Sequence, residues 1–271
     1  MIVPIPNLVF MALSGIICIL LPIAISIIWK RKTKCSILPF IYGALTFLIF
    51  TQLFEALLHY FCLVKENIVS IKINSNPYLY MLYGAFSAGI FEECGRYLMF
   101  KTVLRKSNDW KDSISSALGH GGIESVLISA ATLLLNFVIA ILNNTNNTNA
   151  LLSLVKGNKE TLDLVLHSLE NYTIGFCLLS VLERIIAITL HISLSIIVFK
   201  SKMENKLRYL LLAIFLHAIF DMPVALMQKG VIKSTLLVEL YLMVVAILVS
   251  LFSFRIYKSE INKIRKISFY Y

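Results

Sequence analysis

The stretch AGIFEECGRYLMF, residues 88–100, decides how this chain must fold. It lies in an apolar segment long enough to cross a bilayer, yet it places Glu92, Glu93 and Arg96 within five residues. Each such side chain costs on the order of 2.5–3.5 kcal/mol at the centre of a membrane helix. A span that keeps three of them must turn them inward, toward partners supplied by other helices.

The rest of the chain supplies those helices. Of 271 residues, 58% are hydrophobic and only 15% charged, which is the balance of a polytopic membrane protein rather than a soluble domain. Seven apolar segments read as spans, at about 8–29, 36–64, 78–100, 113–142, 173–199, 209–228 and 235–254. The fold expected is an all-α transmembrane bundle forming a single integral membrane domain over 1–271, with its motif-bearing core at 78–228. A net charge of +10 does not mark a nucleic-acid binder, because the basic residues fall in short clusters between apolar runs.

Those clusters set an orientation. Lys30, Arg31, Lys32 and Lys34, then Lys101, Arg105, Lys106 and Lys111, then Lys200, Lys202, Lys206 and Arg208 alternate with poorer loops. A basic tail adds Arg255, Lys258, Lys263, Arg265 and Lys266, so 17 of 25 basic residues fall on one side. The positive-inside rule then places the N-terminus outside and the C-terminus in the cytoplasm. The first span has no basic residue before it and reads as a retained anchor.

The largest outer loop, 143–171, opens on an Asn/Thr-rich linker, and ETLDLVLHSLE within it has the pattern of a short amphipathic helix. Its N-x-T triplets, like the one at Asn171, matter only in a glycosylating pathway, and the Ile/Leu/Lys/Asn-rich usage points instead to a bacterial cytoplasmic membrane. Five scattered cysteines, without a CxxC pair, indicate neither a disulfide framework nor a zinc–thiolate site.

Four spans carry polar residues at related positions. Glu92 and Arg96, His120 and Glu124, and His217 and Asp221 are each four apart and share a helix face. Arg184 and His191 lie seven apart on one stripe. Counted from the cytoplasmic end of each span, Glu92, Glu93, His120, His191 and His217 all fall roughly 10–12 Å deep. Glu124 and Asp221 fall one turn deeper. Glu183 and Arg184 lie off this layer and read as a structural ion pair, and Glu55 with His59 reads as a pair nearer the outer face.

A carboxylate beside imidazoles, away from bulk water, suits general-base activation of a water. The same residue types suit a divalent metal such as zinc, with Glu92, His120 and His217 as the expected ligands. HExxH, GxSxG and a P-loop are all absent. A proton- or cation-coupled transporter and a non-catalytic immunity protein stay open as other uses of buried charge. Gly119, Gly121 and Gly122 around His120, with Gly84 and Gly89 beyond the glutamates, let helices approach closely.

EECGR at 92–96, GHGGIE at 119–124, ER followed by a histidine at 183–191, and HAIFD at 217–221 together resemble the YhfC-type membrane proteins. That resemblance extends to glutamic-type intramembrane proteases, the CAAX prenyl endopeptidases and PrsW-like proteases of the CPBP (abortive-infection) superfamily. It covers spans three to six, about half the chain. It implies an intramembrane endopeptidase acting on membrane-embedded or juxtamembrane peptides, with no cofactor required.

By the same resemblance, Glu92 is the base on a water and His120 assists it. Glu93 pairs with Arg96, and His217, oriented by Asp221, stabilises the oxyanion. Glu124 matches the PrsW-like second motif, and His191 matches the subgroup pattern without an assigned role. Two departures weaken the link to CAAX substrates: the arginine follows the glutamate pair after two residues rather than three, and Asp221 stands where the prenyl proteases have asparagine.

Overall fold

The computed structural model describes residues 2–268, with side chains through residue 263, so the side chains of Arg265 and Lys266 in the basic tail lie outside the described residues. Ten helices follow one another, with no strand among the described residues. They are α1 (Ile5–Thr33), α2 (Leu38–Val64), α3 (Ile68–Ser75), α4 (Pro77–Lys101) and α5 (Trp110–Asn144). Then come α6 (Thr148–Leu154), α7 (Lys159–Ser168), α8 (Ile174–Glu204), α9 (Arg208–Gln228) and α10 (Thr235–Ser268).

Six of these, α1, α2, α5, α8, α9 and α10, are long and apolar enough to cross a membrane. The sequence reading counted seven. The difference is α4, whose 25 residues reach about 37 Å but whose Glu92, Glu93, Arg96 and Lys101 dilute its apolar content. Length puts α4 among the spans; composition does not. The remaining boundaries match the expected segments within a few residues, except that α10 runs well past the apolar part of its span.

Local chemistry explains several boundaries. Asn76 accepts hydrogen bonds from the Tyr78 and Leu79 amides at 2.9 and 3.2 Å, and Pro77 follows at the first helical position, where its missing N–H costs nothing. Asn67 and Ser70 form a reciprocal capping box that starts α3, an element the hydropathy pattern did not separate from its neighbours. Within the outer loop, Asn147 caps α6 and Asn158 caps α7, so the expected amphipathic helix forms beside a second short one.

The described residues divide into two units. The first comprises Met1–Ala24 and Glu124–Ile185. Asn144 ties its ends together, accepting from the Val3 amide and donating to the Val3 carbonyl, both at 2.8 Å. Val3, Ile139, Ala140, Leu151, Leu162 and Leu169 form one of its cores. A second core gathers Met11, Cys18, Ala130, Leu133 and Cys177. Ser125, which opens a π-helical stretch of α5, donates to the Cys18 carbonyl at 2.7 Å.

The second unit comprises Ile25–Ile123 and Ile186–Tyr271. Its tightest crossing joins α2 to α5. A Cβ built on Gly43 would stand 1.9 Å from the Ser116 carbonyl oxygen, and one on Gly119 would stand 1.9 Å from that of Phe40. Only glycine allows two backbones that close. Another close approach sets α4 against α9, where a Cβ on Gly89 would meet the Ile214 carbonyl at 2.8 Å.

The α9–α10 contact has its own logic. Pro223 lies inside α9 and has no N–H for the carbonyl of Ile219, four residues earlier. The Tyr241 hydroxyl of α10 donates to that carbonyl at 3.0 Å instead. Phe199 of α8 completes the base of this unit, edge-on to Phe100 and Trp110 with ring centroids 5.1 Å away in each case. All five cysteines are free thiols.

Candidate functional site

The second unit draws its polar residues from four helices. Glu92, Glu93 and Arg96 stand on α4, His120 on α5, His191 on α8, and His217 and Asp221 on α9. Glycines set the distances between these helices. Gly119 keeps α5 against α2, Gly89 keeps α4 against α9, and a Cβ on Gly121 would press on the His191 ring at 3.1 Å. The side chains at these positions therefore meet because the backbones beside them are bare.

Glu92 is the centre. Its Oε2 lies 2.8 Å from His120 Nε2, 3.9 Å from His191 Nδ1 and 3.9 Å from His217 Nε2. The histidine rings adjoin one another, with centroids 5.0 Å apart for His120 and His191 and 5.8 Å apart for His191 and His217. Glu92 is 6% exposed and the three histidines no more than 3%. The layer read from residue counting is thus a single cluster.

Glu93 is differently placed. Its carboxylate accepts from Arg96, one oxygen at 2.6 Å, and from the opposite side Oε1 faces His217 Nδ1 at 2.8 Å. Both Glu93 and Arg96 are fully buried. Arg96 also reaches His191 Nδ1 at 3.2 Å; a guanidinium only donates, so that nitrogen accepts here, and it would have to give up Arg96 to serve as a metal ligand.

His217 is held at both ends. Glu93 takes Nδ1 at 2.8 Å, and Asp221 stands 3.3 Å from Nε2. The sequence reading made Asp221 the residue that orients His217; the closer, fully buried contact is with Glu93. Asp221, with a side chain 29% exposed, is the member of the group open to its surroundings.

The other sequence candidates are accounted for. Glu124 bonds Arg184 at 2.8 Å, and Arg184 makes a fork to both oxygens of its neighbour Glu183. This trio belongs to the first unit. Glu55 pairs with His59 at 3.3 Å. Residue-type reasoning passed over Phe47, whose ring stands edge-on to His120 at 5.1 Å. Its one legible signal is position, four residues after Gly43 on the face of α2 that meets α5.

The donor chemistry fits a divalent metal. Glu92, His120 and His191 each present a ligand atom, all within 4.8 Å of one another and all buried. Two imidazoles and a carboxylate, with a fourth position left to water, are a donor set of catalytic zinc sites. Ligand atoms about 2.0–2.2 Å from a tetrahedral zinc stand about 3.3–3.5 Å apart, and the distances from Glu92 of 2.8 Å to His120 and 3.9 Å to His191 bracket that spacing. His120 Nδ1 is buried without a hydrogen-bond partner among the described residues, so this imidazole's polar capacity is only half used. His217, expected from sequence as the third ligand, meets Glu93 and Asp221 at its two nitrogens and stands 3.9 Å from Glu92, as His191 does.

Comparison with known proteins follows the same residues. The pattern of the family described as YhfC intramembrane metalloprotease matches residues 17–242. A Bacillus subtilis (strain 168) protein named "Uncharacterized membrane protein YhfC" is 36% identical over 241 residues, which cover 89% of this chain and 92% of that one. No solved structure matches.

Proposed function

Since the chain belongs to the YhfC family, we propose that it is an intramembrane endopeptidase that hydrolyses membrane-embedded or juxtamembrane peptides at the Glu92 cluster. The observation that carries this reading is the single carboxylate oxygen of Glu92 faced by three imidazoles in a buried setting. Ion pairs that merely tie helices together use a fixed cation, as Arg184 does for Glu124. Glu92 is faced instead by imidazoles, which can donate, accept or ligate.

Glu92, His120 and His191 would hold a divalent cation of the zinc type. When bound, such a cation supplies Lewis acidity that activates water and polarises a peptide carbonyl. The chain's own residues do the rest. Glu93 clamps His217 through Nδ1, so that Nε2 is presented beside Glu92 and Asp221. From there His217 donates to the oxygen of the carbonyl under attack and passes a proton toward the leaving amine, with Asp221 as the exchange partner. Arg96 pairs with Glu93 and, where no cation is bound, donates to His191 Nδ1. Burial of the cluster excludes bulk water and strengthens each of these contacts.

One observation favours a metal-free variant on the same residues. At 2.8 Å, Glu92 and His120 form a direct hydrogen bond, shorter than the spacing of two zinc ligands. In that variant Glu92 takes a proton from water, the resulting hydroxide attacks the carbonyl carbon, and the C–N bond breaks as the amine is protonated. The kinship to prenyl endopeptidases and PrsW-like proteases belongs to this variant and rests on motif order alone. The N-out, C-in orientation is likewise part of the proposal, supported by the basic clusters.

Purified protein in bilayer nanodiscs should carry about one zinc per chain by mass spectrometry, the stoichiometry of a catalytic zinc site. His120→Ala and His191→Ala should lose the metal while keeping the helical circular dichroism spectrum. Membrane proteomes of cells with the wild type should contain cleavage products that Glu92→Gln cells lack. Identical proteomes would remove the protease reading. Cleavage that survives chelation in metal-free protein would select the glutamate variant.

A further inference from the structure

A hydrolase with a buried centre needs a route for water, and α2 carries a feature that the Glu92 cluster does not use. Phe47, Thr51, Glu55 and His59 recur every four residues, so they form one stripe along that helix. The stripe starts at the site, where Phe47 packs edge-on against His120. It ends about three turns further on, where His59 has a 35% exposed side chain and its Nδ1 meets the Tyr83 hydroxyl of α4 at 2.8 Å. Both ends are therefore anchored by contacts, one to the catalytic cluster and one to the partner helix.

Between them lie two polar atoms with nothing to bond. Thr51 Oγ1 and Glu55 Oε2 are buried and have no hydrogen-bond partner among the described residues. Glu55 as a whole is only 4% exposed, and its other oxygen faces His59 Nε2 at 3.3 Å. A buried polar atom without a partner costs about 1–3 kcal/mol, and such groups in proteins are generally served by internal water. The backbone here is π-helical from Phe50 to Glu55, a departure from α geometry that often accompanies function. Phe50 in that segment packs onto Gly95, where a Cβ would meet its ring at 2.5 Å, so α2 and α4 are in contact at this level.

We propose that the α2–α4 seam is a hydrated path. Water enters past His59 and Tyr83, is held by Glu55 and Thr51, and reaches the Glu92–His120 pair beside Phe47. This rests on the hydrolase reading for its purpose but not for its detection. The path opens on the side of the loop that joins α2 to α3, which the basic clusters place outside the cell. Glu55, Thr51, His59 and Tyr83 act here as positioning residues for solvent, not as catalytic residues.

Accessibility of single cysteines in proteoliposomes tests it, in a chain whose five native cysteines are replaced by alanine. A cationic methanethiosulfonate applied from the α2–α3 loop side should modify Thr51→Cys roughly ten-fold faster than Leu53→Cys, because only a hydrated thiol ionises. Leu53, on the exposed apolar face of α2, is the control. Equal, slow labelling at both positions would overturn the path. Should the cysteine-free chain not fold, radiolytic hydroxyl labelling of the unaltered protein in nanodiscs serves instead. Phe47 and Tyr83 should then be oxidised more strongly than lipid-facing Phe54, and the reverse order would overturn the proposal. Neither readout involves cleavage, so failure here leaves the protease reading standing, and inactivity of the wild type leaves the path testable.

Discussion

Two arginines sit among carboxylates in this molecule, and their surroundings differ. Arg184, in the first unit, spends its fork on Glu183 and a further N–H on Glu124. Arg96, in the second, binds Glu93 but turns its other terminal nitrogen to His191. The first arrangement is charge answered by charge. In the second, Glu92 next door faces three histidines, and Arg96 donates to one of them, His191. The comparison teaches that a buried carboxylate faced by several imidazoles is the one to test as a reactive group. By itself, an ion pair in a membrane helix supports only packing.

The contrast can be broken by substitution. Glu92→Gln keeps the shape and hydrogen-bonding capacity of the side chain but not its basicity, so proteolysis should fall by about 10²–10⁴-fold with the melting temperature nearly unchanged. Arg184→Met should do the opposite. It removes the guanidinium that bonds two carboxylates and should lower stability by about 3–5 kcal/mol, read by thermal unfolding in detergent, while molecules that remain folded still cleave. If Arg184→Met abolished cleavage without loss of stability, the division between the two arginines would be wrong.

Smaller changes sharpen the same boundary. Gly119→Ala forces a methyl group onto the Phe40 carbonyl and should cost about 1–3 kcal/mol, with activity falling because His120 is the next residue. Gly84→Ala, whose new Cβ would meet nothing closer than 3.9 Å, should be neutral in both assays. Tyr83→Phe removes one hydroxyl from His59 and should cost about 0.5–1.5 kcal/mol, with no effect on metal content. An equal penalty at Gly84 and Gly119 would show that the α2–α5 crossing is not what places His120.

Much of this was legible before any coordinates. The helical class follows from apolar length, and the shared depth of Glu92, Glu93, His120, His191 and His217 follows from counting along spans. Glu183 does bond Arg184, and Glu55 does meet His59, as their spacing suggested. Three points were out of reach. His191 belongs to the buried group that could hold a cation with Glu92 and His120, while Glu93 and Asp221 stand at the two nitrogens of His217. Glu124 is bonded to Arg184, sixty residues on. Phe47 was invisible as a neighbour of His120, since one aromatic among many apolar residues carries no pattern.

What the sequence alone determined is periodicity and depth: which residues share a helix face, how far each lies from a charged boundary, and which spans cannot be plain lipid anchors. These depend on 1.5 Å and 100° per residue, quantities internal to one helix. Tertiary structure decided which oxygen meets which nitrogen. That choice depends on how closely helices cross, and Gly43, Gly89, Gly119 and Gly121 control it through distances between backbones far apart in the chain. The EECGR stretch announced that partners must exist; only the packing of α4 against its neighbours assigned Glu93 to Arg96 and left Glu92 to the histidines.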